Sequence, residues 1–142
     1  MPWIRKGFKV KQTLMMTMTV KLEIDTSQQG LRMVLKDWEE ETLKVFWDDP
    51  QKEYTSRLMW DRVNQQLKTG SISRASIINF LEDMVEMGVL SKRETTGKGG
   101  HRGIYSSKIG ESGFKRFMAE TVLEALMRNF SEETRQTIEK LG

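Results

Sequence analysis

Two groups of side chains in this sequence have the chemistry to bind a polyanion. Ser73, Arg74, Ala75, Ser76, Ile78 and Asn79 crowd into one short stretch, and Lys98, His101 and Arg102 stand in a run that also holds Gly97, Gly99, Gly100 and Gly103. In the major groove of duplex DNA, asparagine bonds adenine through two hydrogen bonds and arginine bonds guanine. Serine reaches a base edge or a phosphate, and alanine or isoleucine meets the thymine methyl. The glycines allow a tight reversal and a close approach of backbone to phosphate, while Lys98, His101 and Arg102 supply donors. Ser71, Ser73 and Ser76 are equally suited to capping a helix, with Asn79 merely exposed. The second group is what tips the first toward binding.

A helix must carry the first group and a hairpin the second. Over residues 35 to 47, Leu35, Trp38, Leu43, Phe46 and Trp47 share one face of a first helix, with Glu39, Glu40 and Lys44 outside, until Asp48-Asp49-Pro50 stops it. A short extended piece at Glu53-Tyr54 leads to Thr55, which can cap a second helix with Met59, Trp60, Val63 and Leu67 inward; Lys68-Thr69-Gly70 breaks it. Ser71 or Ser73 caps a third helix, whose inner set is Ile77, Leu81, Met84 and Val85, with Phe80 or Ile78 at its margin. It ends at Met87-Gly88. Val89-Leu90 then opens a strand, the glycine-rich loop follows, and Arg102-Gly103-Ile104-Tyr105 returns. That order is the end of a winged helix-turn-helix, with three helices and a two-stranded wing as its core. Glu82, Asp83 and Glu86 make the second half of the third helix acidic, so only its N-terminal end can approach DNA. Thr55, Ser56 and Arg57, at the start of the second helix, are placed to hold phosphates. Trp38, Trp47 and Trp60 fall inward and read as packing.

Both flanks have patterns of their own. From residue 8 to 24 the apolar residues Phe8, Val10, Leu14, Met16, Met18, Val20, Leu22 and Ile24 fall on even numbers, with Met15 the exception, which is strand periodicity. The segment is one extended arm or a hairpin broken near Met15-Met16, and its methionines read as apolar strand surface. Beyond the wing, Ser112 or Gly113 opens a helix with Phe114, Phe117, Met118, Thr121, Val122, Ala125 and Leu126 at three-four spacing. Asn129-Phe130 follows, and Ser131-Glu132-Glu133-Thr134 caps a last short helix carrying Ile138 and Leu141. Isolated helices of this length are marginal in water, so this stripe packs either on a second subunit, the economical choice, or back on its own core. The expected fold class is therefore mainly α with a small antiparallel β wing. Residues 1–34 form a basic β arm, 35–108 a winged-helix DNA-binding domain and 109–142 a helical dimerization region.

Composition narrows the function classes. At 142 residues the chain is long enough for one core with appendages but hardly for two. No run approaches the roughly 20 apolar residues that cross a bilayer, so no membrane partner is expected. The start lacks the apolar stretch of a secretory signal, and with no cysteine the chain has neither disulfides nor thiolate metal sites; the cytoplasm is the expected compartment. His101 is the only histidine, which excludes a histidine metal cluster, and neither a metal nor a cofactor is expected. No nucleophile-base arrangement or forced acid pair argues for an enzyme. Net charge is only +3, but the bases gather in residues 1 to 21, which hold no acid, and in residues 88 to 108, where Lys92, Arg93, Lys98, Arg102 and Lys108 face the single acid Glu94. A polyanion is drawn to those two places and not to the acidic stretch between them.

Over residues 38 to 130 the sequence resembles the penicillinase repressor, methicillin-resistance regulator and copper-transport repressor family (BlaI/MecI/CopY). The resemblance is carried by Trp38-Glu39 with Val45-Phe46-Trp47, by Tyr54-Thr55-Ser56-Arg57, by Ser73-Arg74-Ala75-Ser76-Ile77, by Met87-Gly88-Val89-Leu90 and by Gly103-Ile104-Tyr105-Ser106. It implies a homodimeric repressor with a winged helix on a palindromic operator and C-terminal helices that dimerize. The chain departs from that pattern in lacking the C-terminal cysteines of copper-responsive members, and its arm has no counterpart there. Asn129-Phe130 stands where antibiotic-responsive members are cleaved. The inducing ligand or protease is unknown. A rival reading is a winged helix used as a protein-interaction module in a transcription or chromatin assembly, through the acidic half of the third helix and the Met-rich arm.

Overall fold

The computed structural model describes residues 21–97 and 100–142, with His101 described in its backbone alone. These fall into two units, one ending at Glu111 and the other running Ser112–Gly142. Most of the expected β arm, residues 1 to 20, lies outside the described residues. The described part of the arm is not a strand. Residues 21 to 25 have no regular structure and Gly30–Met33 is a 3-10 turn, closed by the Asp25 N–H on the Met33 carbonyl at 2.8 Å. No strand runs through this stretch because the Asp25 carboxylate accepts from both the N–H (3.0 Å) and the hydroxyl (2.6 Å) of Ser27, a local turn that competes with a ladder.

Helix α1 (Asp37–Asp48) starts two residues later than its apolar pattern suggests, because Leu35 is buried ahead of the N-cap, Lys36. Glu39 accepts from the Lys36 N–H at 2.7 Å and, with Asp37 and Glu40, places acids where the helix dipole favors them. Strand β1 (Tyr54–Thr55) leads into α2 (Ser56–Gln66), and α3 (Arg74–Glu86) into the hairpin β2 (Leu90–Gly97) and β3 (Gly100–Ser107). Among the described residues the sheet has three strands in the order β1-β3-β2, all antiparallel, where a two-stranded wing was expected. Tyr54 pairs with Tyr105 and Thr55 with Ile104, so the piece between α1 and α2 is the inner edge of the wing. The extended piece expected at Glu53-Tyr54 is thus a strand, Tyr54–Thr55, but two residues show no alternation that would place it in the sheet.

The core of this unit is built from Leu43, Val45 and Phe46 of α1, Met59 and Val63 of α2, Ile77, Phe80, Leu81 and Met84 of α3, and Tyr54, Val89, Leu90 and Tyr105 around the sheet. Phe80 is fully part of it, edge-on to Trp38 at 5.4 Å between ring centers, whereas Val85 is only half-buried. The turn from α3 into the wing is fixed by backbone alone. The Val89 N–H reaches the Met84 carbonyl at 2.9 Å and the Gly88 N–H the Val85 carbonyl at 3.0 Å, with Gly88 at φ +82°. This is the paired bonding of a Schellman cap, and Met84 and Val89 are both buried beside it. The arrangement is a winged helix-turn-helix, mostly helical with a small antiparallel sheet.

In the second unit, α4 (Glu111–Asn129, its first residue belonging to the unit before) is followed by α5 (Ser131–Leu141). Ser131 is the first helical residue and not a cap; the N-cap is Phe130, which has no side-chain acceptor. Thr134 instead turns its hydroxyl back to the Leu126 carbonyl at 3.2 Å, bridging the break. None of the helices among the described residues is long and apolar enough to cross a membrane.

Gly88→Ala forces an L side chain into the left-handed region. It should lower the unfolding free energy by about 1–2 kcal/mol, read from the midpoint of urea denaturation at unchanged slope.

Candidate nucleic-acid interface

Two side chains of α2 hold the turn that presents α3. The Asn64 amide bonds both backbone groups of Ile72: its Oδ1 accepts from the Ile72 N–H at 2.8 Å, and its Nδ2 lies 3.3 Å from the Ile72 carbonyl while also donating to the Trp60 carbonyl at 2.8 Å. The Trp60 indole N–H donates to the same Ile72 carbonyl at 2.8 Å. Gly70, at φ +72°, lets the chain turn back toward them. The tryptophans do pack, but all three are half-buried, and two also serve as donors, since Trp47 gives its indole N–H to the Ile109 carbonyl at 3.1 Å. Asn64 was not singled out in the sequence, where the one signal was a polar residue between the inward positions Trp60 and Val63 and the break at Gly70.

At the start of α3, Ser73 is the N-cap: its hydroxyl accepts from the Ser76 N–H at 3.1 Å and shares a hydrogen with the Ser76 hydroxyl at 2.8 Å. These two serines are therefore engaged with each other, in the capping role the sequence left open. Arg74, Ala75 and Asn79 are exposed and Ile78 is half-buried. Ala75, Ile78, Asn79 and Glu82 lie at three-four spacing and so share one stripe of α3. At the head of α2, Thr55 accepts from the Leu58 N–H at 3.2 Å and caps the helix; Ser56 is half-buried, and Arg57 is exposed.

The wing ladder extends to the pair Gly97–Gly100, with Gly100 at φ +100°. Lys98, Gly99 and the His101 side chain lie outside the described residues. Arg102 is exposed, opposite Thr95. Two of the bases counted toward a polyanion site are already neutralized. Arg93 forms a bidentate pair with Glu53 at 2.6 and 2.9 Å, and Lys92 lies 2.9 Å from Glu82 and 3.7 Å from Glu94. Sequence distance concealed these partners, since Glu53 meets Arg93 only because β1 joins the sheet.

Glu82 is held at both oxygens, by Lys92 and by the Tyr105 hydroxyl at 2.6 Å. Burial opposes its ionization, but these donors outweigh burial and leave its carboxyl below the ordinary glutamate value. Burial, together with that carboxylate, pushes the Tyr105 phenol well above its ordinary value. Among the described residues no group of three or more metal-ligating side chains converges.

In the second unit, Phe114 and Met118 are buried, Phe117, Thr121, Val122 and Ala125 are half-buried, and Leu126 is exposed. Phe130 and Leu141 are the other large apolar side chains open to solvent there.

No protein-family model and no curated protein matches this sequence. Among solved structures, the chain is similar to one from Methanosarcina mazei Go1, described as a possible transcriptional regulator. The TM-score is 0.53 at 11% identity over 75% of this chain and 78% of that one, a likeness of fold. A zinc-responsive MarR family member, ZitR of Lactococcus lactis, matches at TM-score 0.40 and 13% identity over 99% of this chain and 81% of that one.

Asn64→Ala leaves the Ile72 backbone groups without their side-chain partner and should cost about 1–3 kcal/mol in urea denaturation. For Glu82, a folded pKa below the unfolded one means stability that is present above the ordinary glutamate range and lost as pH falls through the folded value. The stability gap between the parent chain and Glu82→Gln should therefore be widest near neutral pH and close on acidification below about pH 4. A gap constant across that range contradicts the assignment.

Proposed function

We propose that this protein is a sequence-specific DNA-binding transcriptional regulator, acting as a homodimeric repressor on an inverted-repeat operator. The observation that carries the reading is the outward stripe at the head of α3. There Arg74, Ala75 and Asn79 stand exposed beside half-buried Ile78, and Arg74 has no ion pair among the described residues. Arginine and asparagine are the side chains that read guanine and adenine edges, and the acids further along α3 leave only this end for the groove. Ser73 and Ser76 act through the cap, holding the helix end where a backbone N–H can meet a phosphate. Arg57 with Thr55 and Ser56, and Arg102 with Lys98 and His101, position the protein on the two sides of that groove. The similar fold of the Methanosarcina mazei Go1 protein, described as a possible transcriptional regulator, is in keeping with this role.

Dimerization falls to the second unit. Leu126, Phe130 and Leu141 offer the exposed apolar surface, with Phe117, Thr121, Val122 and Ala125 half-buried along α4. Phe114 and Met118, counted on for this surface in the sequence, are already shielded from solvent and so offer it little apolar area.

The division of labor predicts two kinds of defect in equilibrium binding to duplexes selected by the protein. Arg74→Ala should relax preference at one position per half-site by about 1–3 kcal/mol, while Arg102→Ala should weaken all sequences alike and lower the magnitude of the salt slope by about 1. Identical behavior of the two variants contradicts the assignment. Absence of measurable, salt-dependent duplex binding would favor a protein-contact role.

A further inference from the structure

The middle of α3 is bound to both strands of the wing through one carboxylate. Glu82 continues the stripe of Ala75, Ile78 and Asn79, yet its oxygens accept from Lys92 of β2 at 2.9 Å and from the Tyr105 hydroxyl of β3 at 2.6 Å. Lys92 and Tyr105 face each other in the ladder, with the ammonium 5.8 Å from the tyrosine ring center. Gly103 makes room for this: a Cβ there would stand 2.8 Å from Lys92 Cε and 3.1 Å from the Tyr105 hydroxyl, displacing the lysine stem. The same helix stripe that carries the base-reading candidates is thus tied to the hairpin that carries Arg102.

We propose that Glu82 is a positioning residue for sequence reading: it sets the wing against the reading stripe of α3, so that base and phosphate contacts form in one register, without itself touching DNA. The inference rests on the DNA-binding function proposed above. It also assigns a sign. A carboxylate at the rim of a DNA interface that did nothing but repel phosphates would, as Glu82→Gln, tighten binding to every sequence alike. A positioning carboxylate, once removed, weakens the preferred sequence more than the others. Tyr105→Phe separates geometry from charge, because it deletes one hydrogen bond and no charge.

The chain has no cysteine, so Asp83→Cys combined with Thr96→Cys, both exposed positions, takes spin labels on α3 and on the wing alone. Distance distributions from pulsed electron resonance, and the ratio of affinities for a preferred over a scrambled duplex, are measured on the labeled full chain with and without Glu82→Gln or Tyr105→Phe. The expected result is a narrow distribution that broadens in both variants, with the affinity ratio falling about 3- to 10-fold in each. Unchanged distributions overturn the tie itself. Broadened distributions with an unchanged ratio, or uniformly tighter binding by Glu82→Gln, overturn its role in reading. A parent chain without sequence preference overturns the proposed function, and with it the role assigned to Glu82, before any variant is compared.

Discussion

The two hydrogen bonds between the Asn64 amide and the backbone of Ile72 are the constraint on which the presentation of α3 depends. A turn between two helices leaves backbone donors and acceptors that neither helix satisfies, and leaving them unpaired in a half-buried place is costly. Here one side chain of α2 satisfies both groups of one turn residue, and the Trp60 indole adds a third bond to the same carbonyl. The position where α3 begins is therefore dictated by α2. From that point the Ser73 cap sets the first turn, and the Gly88 cap sets where the chain leaves for the wing.

The electrostatics follow from the same frame. A count of bases around the wing overstates its pull on phosphates, because the fold brings Glu53 to Arg93 and Glu82 to Lys92. These pairs are half-exposed, and exposed pairs contribute little to stability. Their larger consequence is to leave the positive charge of the described wing region to Arg102 and Lys108, beside Arg74 and Arg57 on the helices. Charge confined to few points favors oriented contact with a duplex over general adhesion.

Much of this was legible in the residues. The three helices follow from apolar spacing, because Leu43, Phe46, Met59, Val63, Ile77 and Leu81 recur at helical intervals and are buried. Met87-Gly88 reads as a helix end, since few residues but glycine accept the left-handed backbone there. What escaped depended on long-range pairing. The extended piece at Glu53-Tyr54 was legible but its pairing with β3 was not, and the partners of Arg93 and Lys92 lie 40 and 10 residues away. The choice of Ser73 over Ser71 as cap, and the withdrawal of Ser76 from the free surface, were settled by local geometry that composition does not encode. The even-numbered alternation of residues 8 to 24 overreached at its end, where residues 21 to 24 have no regular structure and run into the turn that Asp25 makes with Ser27.

The central claim is that the head of α3 and the wing together read a duplex. The most direct test is to incubate the purified protein with fragmented genomic DNA at physiological salt and sequence what it retains. The account predicts an enriched inverted repeat with half-sites about 10 base pairs, one helical turn, apart. Retention without any preferred sequence would contradict it.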